Sequence, residues 1–136
     1  MKLETKLKTW TLSRWKKEAW SQCSIYNRRK DADWRGYVKC VTCGKTKMWQ
    51  EVDAGHFQSG RASGILFYDK GIHAQCKECN GKGNNGEQYK YGLYIASRYG
   101  QEEVDKQIRM KKELKQYTKQ EYYELAESYK EKIARL

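Results

Sequence analysis

The residues with the clearest chemical meaning are cysteines arranged in two CxxC pairs. Cys40 and Cys43 form the first pair, and Cys76 and Cys79 form the second after 32 intervening residues. Four thiolates in this pattern are typical of a closed tetrahedral zinc site, which serves folding because it leaves no open position for a substrate. A disulfide framework would need an oxidising compartment, which nothing in the sequence suggests. The sequence therefore predicts a structural zinc ion.

Two further residues near these pairs could do chemistry. His56 lies between the pairs in the segment DAGHF, and a neutral imidazole is a suitable base for activating water, although a lone histidine is more often structural. Asn80 directly follows Cys79, so the zinc site would fix its amide on the first turn of a helix. The amide oxygen could ligate a hard cation such as Mg²⁺, or it could cap the helix, and the spacing favours neither.

The charge balance indicates a polyanionic partner. The 28 Lys and Arg residues against 17 Asp and Glu leave a formal net charge of +11 in 136 residues. Nucleic acid is the simplest partner, although charge alone does not separate DNA from RNA or from a membrane surface. No apolar run is long enough to cross a bilayer and no signal-peptide core begins the chain, so we expect a cytoplasmic protein that does not enter membranes.

The periodicity of apolar residues predicts an α+β fold in a single domain, with helices flanking a zinc-bound core. Residues 1–33 would hold an N-terminal helix over about 10–27, residues 34–100 the core, and residues 101–136 a helical extension. The apolar stripe of the first helix consists of Leu12, Trp15, Ala19, Cys23 and Tyr26. Cys23, the fifth cysteine, is predicted to be a buried core thiol.

Within the core, β-prone pieces around residues 37–39 and 47–49 flank the first CxxC pair, as in a zinc knuckle. Residues 50–58 and 64–75 are predicted to pair as a hairpin around a Gly- and Ser-rich loop. A short helix would follow from Cys76, and a longer one over 87–98 would stop at Gly100. A knuckle, a hairpin and a second CxxC at a helix start describe a treble-clef fold.

The C-terminal region carries a capping-box pattern, Thr118 followed by Glu121, ahead of an apolar stripe. This predicts a helix over about 119–135. Its apolar face would pack on the domain or, alternatively, form a homodimer contact.

The order CxxC, GH on a strand and CxxCN resembles the HNH (His-Me finger) endonucleases. The string DAGHFQSGRASGILFYDKGIHAQCKECN is similar to the NinG (Rap) recombination proteins of lambdoid phages. The segments DADWRGYVKCVTCGK and EQYKYGLYIASRYG extend that similarity over about residues 5–100. The resemblance implies a ββα-metal core with His56 as general base and Asn80 as ligand of one catalytic divalent cation, Mg²⁺ or Mn²⁺. It also implies that the chain cleaves branched DNA, such as Holliday junctions or D-loops. Other phage recombination proteins are then possible partners.

The chain departs from the HNH pattern at two places. Many HNH enzymes have Asp immediately before the base, where this chain has Gly55, so Asp53 is the nearest candidate for a second cation ligand. Many also have Asn at the position of Gly71. His73, two residues later, could bind metal or phosphate, or it could be a structural strand histidine.

Cations near these residues are candidates for contacts with the DNA backbone, and each could instead be a solvated charge. They are Arg61, Lys82, Arg28, Arg29 and Lys30. The leading hypothesis is a metal-dependent endonuclease that hydrolyses DNA phosphodiester bonds. The main alternative is a non-catalytic zinc-finger module that binds nucleic acid, which explains the charge and the cysteines but assigns no task to His56 or Asn80. A protein-interaction scaffold would explain only the C-terminal helix.

Overall fold

The computed structural model describes residues 1–59, 63–81 and 83–136. Its helices are α1 (Leu3–Thr9), α2 (Leu12–Arg29), α3 (Lys77–Asn80), α4 (Gln88–Tyr99), α5 (Gln101–Met110) and α6 (Lys119–Ala134). Its strands are β1 (Tyr37–Lys39), β2 (Thr46–Met48), β3 (Asp53–His56) and β4 (Ile72–Gln75), paired as two antiparallel hairpins. Single 3₁₀ turns cover Trp49–Glu51, Asp69–Gly71 and Asn85–Glu87. The chain is therefore a mixed α+β protein.

The predicted N-terminal helix is confirmed as α2. It begins where the Thr11 hydroxyl accepts a hydrogen bond from the Arg14 backbone N–H at 3.1 Å. Trp15, Ala19 and Cys23 of its stripe are buried as expected, whereas Leu12 is exposed because it is the first helical residue and lies beyond the packed face. The short helix α1 that precedes it was not predicted.

The predicted C-terminal helix and its capping box are also confirmed. The Thr118 hydroxyl accepts from the Glu121 backbone N–H, and the Glu121 carboxylate accepts from the Thr118 backbone N–H. The buried face of α6 packs on α2 and on the β3–β4 hairpin, through residues of two core clusters. This bears out packing on the domain, and the homodimer contact stays a prediction.

The β3–β4 hairpin is shorter than predicted. Its register pairs His56 with Ile72 and Gly55 with His73. Residues 63–67 form turns and not the start of a strand, and residues 69–71 form a 3₁₀ turn closed by the Gly71 N–H on the Tyr68 carbonyl at 2.9 Å. The prediction failed because the apolar residues of this run are buried in the turn, and apolarity reports burial and not strand geometry.

The α4 and α5 helices close the other side of the hairpin. Phe57 packs in a core cluster with Tyr91, Ile95 and Val104. As predicted, α4 stops at Gly100, whose φ of +97° lies in the region that favours glycine, and α5 begins at the next residue. None of the described helices is both long and apolar enough to span a membrane.

Candidate metal centre and adjoining cleft

The four cysteines of the two CxxC pairs meet in one cluster. Their Sγ atoms all lie within 4.8 Å of one another, and those of Cys43 and Cys76 are 3.7 Å apart. Tetrahedral zinc with bonds of about 2.3 Å would separate its sulfurs by about 3.8 Å. Cys40, Cys76 and Cys79 are buried and Cys43 is exposed. The cluster therefore fits a metal ion such as zinc.

Local backbone structure explains why the cysteines converge. The Cys40 N–H donates to the Lys45 carbonyl at 2.8 Å and the Gly44 N–H donates back to the Cys40 carbonyl at 2.9 Å, which folds the first pair into a tight turn. Gly44 has φ of +78°, a conformation that favours glycine. Cys76 caps α3, its Sγ accepting from the Cys79 N–H at 3.5 Å. One pair thus lies in a knuckle and the other at a helix start.

Asn80 is the last residue of α3 and directly follows Cys79, so its position is fixed relative to the four-cysteine cluster. Its Nδ2 donates to Asp53 Oδ2 at 3.1 Å, which leaves the amide oxygen Oδ1 for another partner. Because Cys76 caps the helix, the capping alternative for Asn80 is wrong. Lys77 Nζ lies 2.7 Å from Asp53 Oδ1. Although partial burial raises the pKa of Asp53, the hydrogen bonds from Lys77 and Asn80 lower it overall, so this carboxylate is ionised at neutral pH.

His56 is held in a defined orientation at the end of β3. Its Nε2 lies 3.0 Å from the Leu66 carbonyl oxygen, and its ring stacks on Trp20 with centroids 5.1 Å apart. A carbonyl only accepts, so Nε2 carries the proton and Nδ1 is the basic nitrogen. Burial lowers the pKa of His56 more than the Leu66 carbonyl raises it. The imidazole is therefore neutral at neutral pH, the state that a general base requires.

His56 and Asn80 line the same surface cleft, which has a volume of about 490 Å³. Lys111, at the end of α5, lines it as well, and sequence reasoning missed this residue because only the fold brings it to the hairpin. Asn80 also lines a neighbouring cleft of about 340 Å³ together with Asp53 and Arg28. An imidazole, a carboxylate, an amide and three cationic side chains, those of Lys111, Arg28 and Lys77, therefore line two adjoining clefts.

The comparison with known sequences decides the family. The family model described as "Bacteriophage Lambda NinG protein" matches residues 2–136. The chain belongs to the NinG family. The NinG protein of Escherichia phage lambda is 35% identical over 94 residues, which cover 68% of this chain and 43% of the lambda protein. The NinG protein of Escherichia phage 933W is 30% identical over 122 residues, covering 89% and 57%. The chain thus spans about half the length of these curated relatives, and no solved structure matches it.

In this NinG-family chain, buried glutamines occupy the space beside the two departures from the HNH pattern. A Cβ on Gly55 would lie 2.1 Å from Gln75 Oε1 and 2.9 Å from Gln75 Cβ. A Cβ on Gly71 would lie 2.6 Å from Gln107 Oε1. Gln75 is held in place because its Nε2 donates to the Gly86 carbonyl at 2.7 Å. An aspartate at residue 55 does not fit this packing, which leaves Asp53 as the carboxylate beside Asn80.

Replacing Gly55 with alanine is expected to lower the free energy of unfolding by about 1–3 kcal/mol, because the new methyl group overlaps Gln75 in a packed interior. Urea denaturation measures this change. In a Gln75→Ala background the same replacement should cost less, since the Gln75 carboxamide, which makes the closest overlap, is gone and only the 2.9 Å contact with the Cβ of residue 75 remains. An equal cost in both backgrounds would show that the Gln75 carboxamide is not the cause.

His73 lies on β4 in a buried aromatic environment. Its Nε2 lies 2.8 Å from the Tyr99 hydroxyl, and the Tyr91 and Tyr94 rings pack edge-on against it. Burial, with the charges of Lys30 and Arg98, lowers the pKa of His73 to about 2. It does not line the cleft that His56 and Asn80 share. This position favours the structural interpretation of His73.

The candidate DNA-contacting cations occupy different places. Arg61 and Lys82 lie outside the described residues. The guanidinium groups of Arg28 and Arg29 lie over the Trp49 ring, 5.1 and 5.3 Å from its centroid, beside the clefts.

Lys30, by contrast, points inward and ties α2 to the hairpin. Its Nζ donates to Asn27 Oδ1 at 2.6 Å, to the Asp69 carbonyl at 2.9 Å and to the Ile72 carbonyl at 2.8 Å. Burial lowers the pKa of Lys30 to about 8. All three ammonium hydrogens are engaged internally, so we leave Lys30 out of the proposed DNA surface.

Proposed function

We propose that this chain is a metal-dependent DNA endonuclease whose β3, β4 and α3 form an HNH-type ββα-metal core. One observation carries the proposal. His56 on β3 and Asn80 on α3 line one cleft, and α3 is anchored by the four-cysteine cluster. A zinc ion bound to the four cysteines would fix the position of α3, which carries Asn80, relative to the hairpin that carries His56.

The chemistry follows from the orientation of His56. Nδ1 takes a proton from a water molecule in the cleft, and the water oxygen forms a bond to the phosphorus of the scissile phosphodiester. The opposite P–O bond breaks, and its electron pair leaves with the departing oxygen. The Leu66 carbonyl and the Trp20 ring keep the imidazole in the required tautomer and plane.

The donors beside His56 are suited to a hard divalent cation. Asn80 Oδ1 is oriented because Nδ2 of the same amide donates to Asp53, and the ionised Asp53 supplies negative charge next to it. Amide and carboxylate oxygens are the ligands that Mg²⁺ and Mn²⁺ prefer. When bound, the cation would neutralise charge on the phosphate and on the departing oxygen.

The basic residues around the clefts support DNA as the substrate. Lys111 lines the His56 cleft and Arg28 lines the neighbouring one, so a phosphate backbone crossing both would meet a cation at each. The net charge of +11 adds long-range attraction. We extend the family resemblance to the substrate and propose branched recombination intermediates, cut in the cytoplasm of the host cell.

A non-catalytic DNA-binding module is the second candidate. It is favoured by the packing of Gln75 against Gly55, which removes the carboxylate that usually precedes the HNH base. It does not account for a half-buried, neutral, oriented imidazole that lines a cleft.

The test is cleavage of labelled four-way-junction, flap and linear DNA by zinc-loaded protein with Mg²⁺ or Mn²⁺. We expect cutting that requires the added cation, and we expect Asn80→Ala to raise the cation concentration needed for half-maximal rate. Asn84→Ala is the matched control, because Asn84 donates to the Glu78 carbonyl and does not line the cleft. Binding without cutting under every cation and substrate would support the module instead.

A further inference from the structure

A tryptophan outside the cleft is almost entirely exposed. Trp34, in the turn between α2 and β1, has 92% of its surface accessible. Tryptophan has more apolar surface than other side chains, so its burial would contribute a large favourable free energy that an exposed tryptophan lacks. Single exposed apolar residues are common, and the exposure of Trp34 gains meaning only from its surroundings.

The turn that carries Trp34 is held in one conformation by its neighbour Asp33. Asp33 Oδ1 accepts from the backbone N–H groups of Arg35 at 2.9 Å and Tyr37 at 3.0 Å, and Asp33 Oδ2 pairs with the Arg35 guanidinium at 2.9 Å. The Asp33 N–H donates to the Tyr37 carbonyl at 2.8 Å. The indole is therefore presented on an ordered turn.

Cations and a second indole connect this turn to the clefts. The Arg35 guanidinium lies 5.9 Å from the Trp34 ring centroid. The carbonyl of the next residue, Gly36, accepts a hydrogen bond from the backbone N–H of Trp49 at 2.9 Å. Arg28 and Arg29 cover Trp49, and Arg28 lines the cleft with Asp53 and Asn80. We call this surface, formed by Trp34, Arg35, Trp49, Arg29 and Arg28, the Trp34 track.

We propose that Trp34 stacks on an unpaired nucleobase of DNA and that the arginines of the Trp34 track contact the phosphates of that strand. The inference rests on the proposed function and adds to it a recognition element for the unpaired bases of branched DNA. Alternating aromatic and cationic side chains are the composition of surfaces that bind single strands. Two carboxylates beside the track, Asp33 and Asp53, are paired with Arg35 and Lys77. Arg28 and Arg29 therefore supply the cationic charge that the phosphates of a strand would meet.

The test measures binding and not cleavage. Zinc-loaded wild-type and variant chains are titrated, without Mg²⁺ or Mn²⁺, into a labelled linear duplex and into the same duplex carrying an unpaired flap. Trp34→Ala is expected to weaken flap binding by about tenfold, because stacking on an aromatic side chain contributes that much per base. Duplex binding should change by less than about twofold, since paired bases are not available for stacking. Trp34→Phe should retain most of the flap affinity.

The matched control is Tyr89→Ala. Tyr89 is also highly exposed, at 80%, but it lies on α4 in a groove whose described lining includes no cationic side chain. It is expected to leave both affinities unchanged. An unchanged flap affinity in Trp34→Ala, or an equal loss on flap and duplex, would overturn the proposal. These outcomes are independent of catalysis, because a chain that cuts no DNA can still show the Trp34 effect and an active nuclease can lack it.

Discussion

Replacing His56 with alanine is expected to lower the rate of DNA cleavage by roughly 100- to 10,000-fold, the range by which a positioned general base accelerates proton transfer. The loss should fall on the chemical step, because His56 takes the proton from water and does not hold the DNA. DNA affinity should therefore stay close to that of the wild type. Single-turnover cleavage and anisotropy binding measure the two effects separately.

A structural loss must be distinguished from a chemical one, since His56 also packs on Trp20. Imidazole added to the buffer should restore part of the activity of His56→Ala if only the base is missing, and it would not repair a misfolded hairpin. His73→Gln is the comparison variant, because it alters the other histidine, which is buried among tyrosines. We expect it to reduce thermal stability and to leave the cleavage rate of the folded protein near that of the wild type.

The pH dependence of cleavage provides a second readout for His56. The imidazole acts as a base only when unprotonated, and burial lowers its pKa below the ordinary value of about 6.5. The rate should therefore be flat at neutral pH and should fall only as the pH drops below about 6.5. A rate that keeps rising tenfold per pH unit above neutrality would indicate a different base.

Removing one thiolate of the cysteine cluster is expected to have the largest effect on stability. Cys79→Ser should lower the free energy of unfolding by more than about 4 kcal/mol, because loss of a structural metal is among the few single changes that reach this size. The zinc content should fall from one ion per chain. Thermal denaturation and metal analysis of the purified protein check both expectations.

Cys23 supplies the matched control for this experiment, since it is a buried thiol outside the cluster. Cys23→Ala should cost roughly 1 kcal/mol for the small cavity and should leave the zinc content unchanged. A chelator should destabilise the wild type and a reducing agent should not. The reverse response would mean that the cysteines form disulfides and that the metal assignment is wrong.

The packing of Gln75 against Gly55 does not remove every carboxylate from the site. Asp53 lies two residues before Gly55 on β3. Its contact with Asn80 brings a carboxylate next to the amide oxygen that could ligate a cation, without a side chain at residue 55. The absence of an aspartate before His56 is therefore compatible with an assembled site. The His56→Ala and Asn80→Ala results decide whether that site cuts DNA.

Features that depend on short stretches of chain could be predicted from the sequence. The α2 and α6 helices follow from apolar spacing and from caps at Thr11 and Thr118, which act within one helical turn. The cluster of four cysteines that could hold a metal follows from CxxC spacing, because two residues between the cysteines of each pair let both thiolates point the same way. The sequence also placed His56 on a strand and Asn80 after the last cysteine.

Only the tertiary structure decided how these parts meet. The bond from Asn80 to Asp53, the Trp20 ring on His56 and the inward turn of Lys30 join residues far apart in the chain, and no local pattern encodes such contacts. The strand limits also depend on packing, because the apolar run before Ile72 is buried in a turn. Spacing along the sequence thus determined which residues could do chemistry, while long-range packing determined which of them share a cleft.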